Sequence, residues 1–206
     1  DALHTLNVCT LFHRLAKRLS KEGSRLGERT REMQQLSVWR RLLDLVLRHA
    51  PNCNNMELTN CLWAIATLEA KGVDEEATAK ELLRHCMKHL ETFGPRNLAL
   101  SAWALAKMGY RDLEWCKRWA DSSLARMRDF DTRDMTMLVW AFATAHWKDE
   151  AFLSKFCQHV EQKIEQGGPQ DIGNTLWALA TLSYRHEGAL AAITAQCMQK
   201  ADIFDQ

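Results

Sequence analysis

The chain has 206 residues, 47% of them apolar, and carries 27 Lys and Arg against 26 Asp and Glu, for a formal net charge of +1. That much apolar content can bury a substantial core, and no apolar run approaches the roughly 18 residues a membrane helix requires, so no membrane span is expected. A near-neutral total says little about a nucleic-acid partner, so the distribution of charge matters more than its sum.

In chain order, the first element is a helical segment with Phe12-His13-Arg14-Leu15-Ala16-Lys17. A polar stretch around Lys21 to Gln35 follows, and then a second helical stripe of Trp39, Leu42, Leu43, Val46 and Leu47. After Pro51 comes Leu62-Trp63-Ala64-Ile65-Ala66-Thr67-Leu68, paired with a stripe of Leu82, Leu83, Cys86 and Leu90. After Pro95 comes Ala102-Trp103-Ala104-Leu105-Ala106-Lys107-Met108, followed by Trp115 and Trp119 at helical spacing, which read as a core stripe. Next are Val139-Trp140-Ala141-Phe142-Ala143-Thr144-Ala145 with Phe152, Phe156, Val160 and Ile164, and, after Pro169, Leu176-Trp177-Ala178-Leu179-Ala180-Thr181-Leu182.

The Trp-Ala pairs are 40, 37 and 37 residues apart. A fixed period of that size marks a solenoid, in which each repeat buries its apolar face only by stacking on its neighbours. His13 takes the tryptophan position in a degenerate first copy, and the interval of 50 residues to Trp63 implies an insertion, placed in the polar stretch. The expected fold is an all-α, superhelical α-solenoid of about five helical-hairpin repeats. They cover approximately residues 1–50, 55–93, 95–130, 132–167 and 169–203 as a single domain. The prolines fall between hairpins, where a missing N–H costs least. The residues six before each anchor, Asn7, Glu57, Asn97, Asp134 and Asp171, are read as helix N-caps or first-turn acids. Tyr110, Trp147 and Tyr184, seven residues after their anchors, are expected to close the first helix against the second. The anchors Trp63, Trp103, Trp140 and Trp177 are read as structural, filling a close-packed helix–helix seam, and a base-stacking role is set aside for them.

Residues 1–50 hold ten Lys or Arg against five Asp or Glu, whereas the remainder is mildly acidic. Eight residues after each anchor the chain is always basic, as Lys21, Lys71, Arg111, Lys148 and Arg185. In a regular stack these side chains, with Lys107, align into a cationic ladder suited to phosphates. They equally suit the leftover carbonyls and dipole of a helix C-terminus. Two to four residues before the anchor the sequence varies inside a constant frame, as a modular reader of successive bases requires. Thr59, Asn60, Ser101, Thr136, Asn174 and Thr175 are the candidate base contacts there.

The Leu-Trp-Ala-x-Ala hairpins, the period near 38 and the opening Phe12 to Lys17 segment resemble the octotricopeptide repeat proteins, over almost the whole chain. That resemblance implies a pentatricopeptide-like helical array in a mitochondrion, or alternatively a plastid. Such an array binds messenger or ribosomal RNA to stabilise, process or translate it, or serves as a structural part of an organellar ribosome. The partners implied are single-stranded RNA or rRNA and neighbouring ribonucleoprotein subunits.

No Gly-x-Gly-x-x-Gly, P-loop or nucleophile elbow is present, so no enzyme, catalytic residue, cofactor or small-molecule substrate is expected. His85, Cys86 and His89 lack the further ligands a zinc site wants, so no metal is expected either. Seven cysteines without a Cys-x-x-Cys read as reduced thiols. The chain opens with Asp1 almost directly in a repeat, which reads as a processed protein or a piece of a longer array. The alternative to RNA binding is a protein–protein scaffold in a larger organellar complex, to which the acidic balance after residue 50 is suited.

Overall fold

Each first helix opens nine residues before its tryptophan, where the sequence supplies a residue able to stand outside the helix. Asn54 Oδ1 accepts from the Glu57 N–H at 2.9 Å while Glu57 Oε2 accepts from the Asn54 N–H at 2.8 Å, a reciprocal capping box. Asp131 Oδ1 accepts from the Asp134 N–H at 2.7 Å, and the Gly168 N–H donates to Asp171 Oδ2 at 2.9 Å. Pro95 and Pro169 occupy the first helical position, where their fixed φ fits and no donor is missed. The caps are therefore Asn54, Gly94, Asp131 and Gly168. Asn97, Asp134 and Asp171, expected as caps, sit with Glu57 three residues inside, in the first turn, where an acid suits the dipole. The Glu57 and Asp171 carboxylates accept from the cap N–H, and Asn7 lies in the body of the first helix.

The computed structural model describes residues 2–110 and 112–199. Among them it is an all-α helical-repeat fold with no strand. The helices are α1 (Ala2–Leu19), α2 (Leu26–Gln34), α3 (Ser37–His49), α4 (Asn55–Leu68), α5 (Val73–His89) and α6 (Pro95–Lys107). They continue as α7 (Leu113–Leu124), α8 (Thr132–Thr144), α9 (Glu150–Lys163), α10 (Pro169–Thr181) and α11 (Glu187–Gln199). The chain divides into two compact units, Asp1–Phe93 and Gly94–Gln206, at a junction between hairpins.

In the first unit the first helices α1 and α4 pack side by side, and the second helices α3 and α5 pack on each other and on them. The polar insertion forms an added short helix, α2. Its Thr30 hydroxyl is buried and donates to the Leu68 carbonyl at 2.9 Å, and Gln34 Nε2 donates to the Lys71 carbonyl at 3.1 Å. The insertion thus closes the C-terminal end of α4. In the second unit α6, α8 and α10 form one layer, and α7, α9 and α11 the other.

Six residues after every tryptophan the backbone turns left-handed, at Glu69 (φ 51°), Gly109 (81°), His146 (55°) and Ser183 (48°). The next residue then donates back into the helix. Tyr110, Trp147 and Tyr184 bond the carbonyls of Leu105, Phe142 and Leu179 at 3.0, 2.9 and 2.9 Å, the six-to-one bond of a Schellman ending. Phe142, in α8, centres an aromatic cluster whose neighbours Trp147 and Phe152 both lie 4.9 Å away, with Trp115 at 6.1 Å. Trp115 and Trp119 are fully buried core residues, and Trp119 Nε1 donates to Ser101 Oγ at 2.8 Å, tying α7 to α6.

The left-handed turn costs a non-glycine residue roughly 1–2 kcal/mol, part of which glycine returns as unfolded-state entropy. His146→Gly should therefore raise stability by about 0.5–1 kcal/mol in urea unfolding, whereas Trp119→Ala should lower it by about 3–5 kcal/mol. A destabilised His146→Gly protein would contradict the proposed role of this turn.

Candidate nucleic-acid interface

Burial around α4, α6 and α8 is nearly complete, and the exceptions fall along one face; α10 is more open, with Gly173, Leu176 and Ala180 exposed as well. In α4 the buried residues are Glu57, Leu58, Thr59, Cys61, Leu62, Ala64, Ile65, Ala66 and Leu68. Left uncovered are Met56, Asn60, Trp63 and Thr67, which follow one another at helical spacing on one face. The same register recurs in the second unit as Arg96, Leu100, Trp103 and Lys107 on α6. It continues as Arg133, Met137, Trp140 and Thr144 on α8, and Gln170, Asn174, Trp177 and Thr181 on α10. The stripe thus comprises the anchor, the residues seven and three before it, and the residue four after it.

The tryptophans therefore sit at the edge of the seam, where Trp63, Trp140 and Trp177 still meet the neighbouring first helix. Trp63, Trp103 and Trp140 are half-buried, and Trp177 keeps 45% of its surface exposed. The alanines and aliphatic residues beside each ring do the close packing and lift it to the edge. Trp140 and Trp177 lie ring to ring at 6.1 Å with a 31° tilt, and in the first unit Trp63 meets His13 edge-on at 5.0 Å. His13 thus stands in place of a tryptophan, as the sequence register requires.

In the second unit the stripes of α6, α8 and α10 enclose an open groove of about 330 Å³. Trp103, Met137 and Trp140 give it aromatic and apolar surface, Lys107 and Arg133 give it cations, Gln170 and Asn174 give it amides, and Asp171, whose Oδ2 accepts from the Gly168 N–H, gives it one carboxylate. Arg96 Nη1 donates to Asp134 Oδ1 at 2.6 Å, linking α6 to α8. Burial pushes the pKa of the Asp134 carboxyl up, and the Arg96 guanidinium pulls it the other way.

Of the candidate base contacts, Asn60 and Asn174 lie on the open stripe, and the four hydroxyl residues do not present themselves to a ligand. Thr59, Ser101, Thr136 and Thr175 are each no more than 2% exposed. Thr59 and Ser101 donate to carbonyls of their own helix, the local bond that a hydroxyl in a dry helix interior makes. Thr136 and Thr175 face each other at 3.4 Å between α8 and α10. The physical reason is the narrowness of the stripe: on α4, α6 and α8 the residues on both sides of the position three before the anchor are buried, and on α10 Thr175 is.

Of the expected ladder, Lys107 lies in the groove, whereas the remaining described members sit in the turns that join the helices. Lys148 Nζ donates to the Ser183 carbonyl at 3.3 Å, lies 5.8 Å from the Tyr184 ring centroid and pairs with Glu150 at 3.2 Å. It thereby braces the left-handed turn of the following repeat. Arg185 pairs with Glu187 at 2.7 Å, and Lys21 and Lys71 are exposed. Arg111 lies outside the described residues. Arg133 and Gln170 escape a reading centred on the residues next to the tryptophan. The signal that finds them is the position two helical turns upstream, on the same face.

A family model for the RNA-editing substrate-binding complex 6 protein matches residues 50–206, well over half of the chain. The chain belongs to this family. Its name attaches members to an RNA-related complex, which agrees with the coarser content of the octotricopeptide resemblance, a helical protein associated with RNA. No curated protein matches the chain. Among the described residues of this family member, no helix is long and apolar enough to cross a membrane.

On α9, behind the groove-forming layer, His159 is buried and its Nε2 has no hydrogen-bond partner among the described residues. Burial, and then the nearby Lys163 charge, lowers its pKa from 6.5 to about 4. The unfolded chain takes up the proton near pH 6.5 and the folded protein resists it down to about 4. The resulting stability is complete above pH 6.5 and is lost as the pH falls through that window. Urea midpoints measured from pH 7 to 4 should fall, and His159→Met should flatten part of that slope; an unchanged slope in the variant would refute the assignment.

Proposed function

We propose that this protein is an RNA-binding subunit of a mitochondrial RNA-editing substrate-binding complex. It holds single-stranded RNA along the open stripe of its first helices and performs no chemistry of its own. The observation that carries this reading is the groove of the second unit, where half-buried indoles, two cations and two amides share one helical register. Aromatic faces suit unstacked bases, amides suit base edges and cations suit phosphates, so one groove offers a partner for each part of a nucleotide. The family match supports an RNA-related role and leaves the mode of binding to this geometry. Kinship with octotricopeptide repeats belongs to the same proposal, resting on the Leu-Trp-Ala-x-Ala hairpins.

A second reading, a protein-binding scaffold, has its own support in the first unit. There Leu36, Val38 and Val73 are 56%, 62% and 85% exposed, and Leu36 and Val73 border an open recess with Arg41 and Lys71. The two readings are compatible in one subunit, with RNA on the second unit and protein on the first.

Binding of the purified chain to single-stranded RNA across a salt series tests the proposal. Affinity should fall steeply with salt, and Lys107→Ala with Arg133→Ala should make the logarithmic slope shallower by about 1.4, roughly 0.7 for each cation removed. Failure of the wild-type chain to bind RNA at low salt would leave the scaffold reading alone.

A further inference from the structure

We propose that Trp140 and Trp177 form a stacking platform for unpaired bases, and that Asn174 reads the edge of a base held there. The inference rests on the RNA-binding reading and deepens it from electrostatic attachment to selection of exposed bases. A tryptophan placed only to pack would be expected among the buried residues, as Trp115 and Trp119 are at 1% and 0% exposure. Trp140 is half-buried, and Trp177 on α10 keeps 45% of its surface open together with its neighbours Gly173, Leu176 and Ala180. An indole held by its base with an accessible face loses little further freedom when a ligand stacks on it, which favours binding.

The two rings are adjacent at 6.1 Å and tilted by 31°. They offer neighbouring aromatic surfaces on successive repeats, suited to successive bases of one strand. The surroundings of the pair favour nucleic acid over a peptide. Asn174 is one turn upstream of Trp177 on the same open face and Gln170 one turn further, so the aromatic surface is followed by amides. Amides both donate and accept, as base edges do. Arg133, on α8, lines the same groove and places a cation within the path of a backbone. Duplex RNA hides the faces of its bases, so the platform selects unpaired segments.

The test uses the full chain and fluorescein-labelled 12-nucleotide RNAs: the four homopolymers, an oligo(A) carrying abasic sites, and a duplex of the same length. Wild type should bind the single strands more tightly than the duplex and should lose affinity for the abasic strand. Trp177→Ala should weaken binding by about 5- to 100-fold, the range of one stacked base, and Trp177→Phe should restore most of it. Asn174→Ala should change the rank order of the homopolymers with little change in their mean affinity. An oligo(A) with 2-aminopurine at its centre should lose fluorescence on binding wild type and much less on binding Trp177→Ala, a readout that does not depend on affinity.

If RNA binds Trp177→Ala and Trp140→Ala as well as wild type, with equal quenching, the platform is refuted while the RNA-binding reading survives, and the exposed ring belongs to a protein contact. If wild type binds no RNA at low salt, both fall. An unchanged homopolymer ranking in Asn174→Ala refutes the role of that residue alone.

Discussion

Alanines one and three residues after Trp63, Trp103 and Trp140, with Ala178 after Trp177, set how closely neighbouring first helices approach, and most of the architecture follows from that approach. Ala64, Ala66, Ala104, Ala106, Ala141, Ala143 and Ala178 are all at or below 4% exposure. With so little side-chain volume at these points, larger residues such as Leu62, Leu105, Val139 and Phe142 can pack around them. Larger residues in place of the alanines would push the helices apart and open the layer, at a cost typical of overpacking, about 1–3 kcal/mol per site.

A helix enclosed on nearly every side must settle its polar groups internally. Hydroxyls that fall in the enclosed part bond back to carbonyls of their own helix, as Thr59, Ser101 and Ser123 do, or to an indole, as Ser101 does with Trp119. The ends face the same demand. Asn54 and Asp131 satisfy donors at the start, and the left-handed residue with its following six-to-one bond satisfies carbonyls at the finish. The recurrence of the left-handed residue, even where it is Glu, His or Ser, shows that the turn is imposed by the packing of the hairpin and not by local preference.

The repeat period, the two helices of each hairpin, the added segment between Lys21 and Gln35 and the burial of Trp115 and Trp119 were all legible in the sequence, because each depends on apolar spacing or a break in it. The repeat bounds at 55, 95, 132 and 169 coincide with the helix starts, but the cap itself was less legible, since Asp suits the first turn as well as the cap and only the geometry at Asn54 and Asp131 distinguishes them. The site was less legible. Asn60 and Asn174 could be singled out as polar insertions in an apolar frame, but Thr59 and Thr175, one residue away, look alike in sequence and turn inward. The tryptophans were read as filling the seam, and the structure sets three of them half-buried at its edge and leaves Trp177 more open. Flanking alanines do signal close packing, and the rings beside them meet the next first helix at the edge of the seam, as Trp63 meets His13 and Trp140 meets Trp177. Lys148 was read as equally suited to a phosphate or a helix end; in the structure it reaches Ser183, a residue of the next repeat that spacing alone does not bring to mind.

The confinement of open surface on α4, α6 and α8 to a narrow line has an evolutionary consequence. Residues on that line make little of the core, and residues of the core make little of the line, so mutations at the positions of Asn60, Leu100, Met137 and Asn174 are nearly uncoupled from folding. Such a chassis can be copied, and each copy given a different side chain at its one open slot, without the stability penalty that ordinarily filters new binding specificities. Variation among the four slots, amide, leucine, methionine and amide, is what this freedom permits.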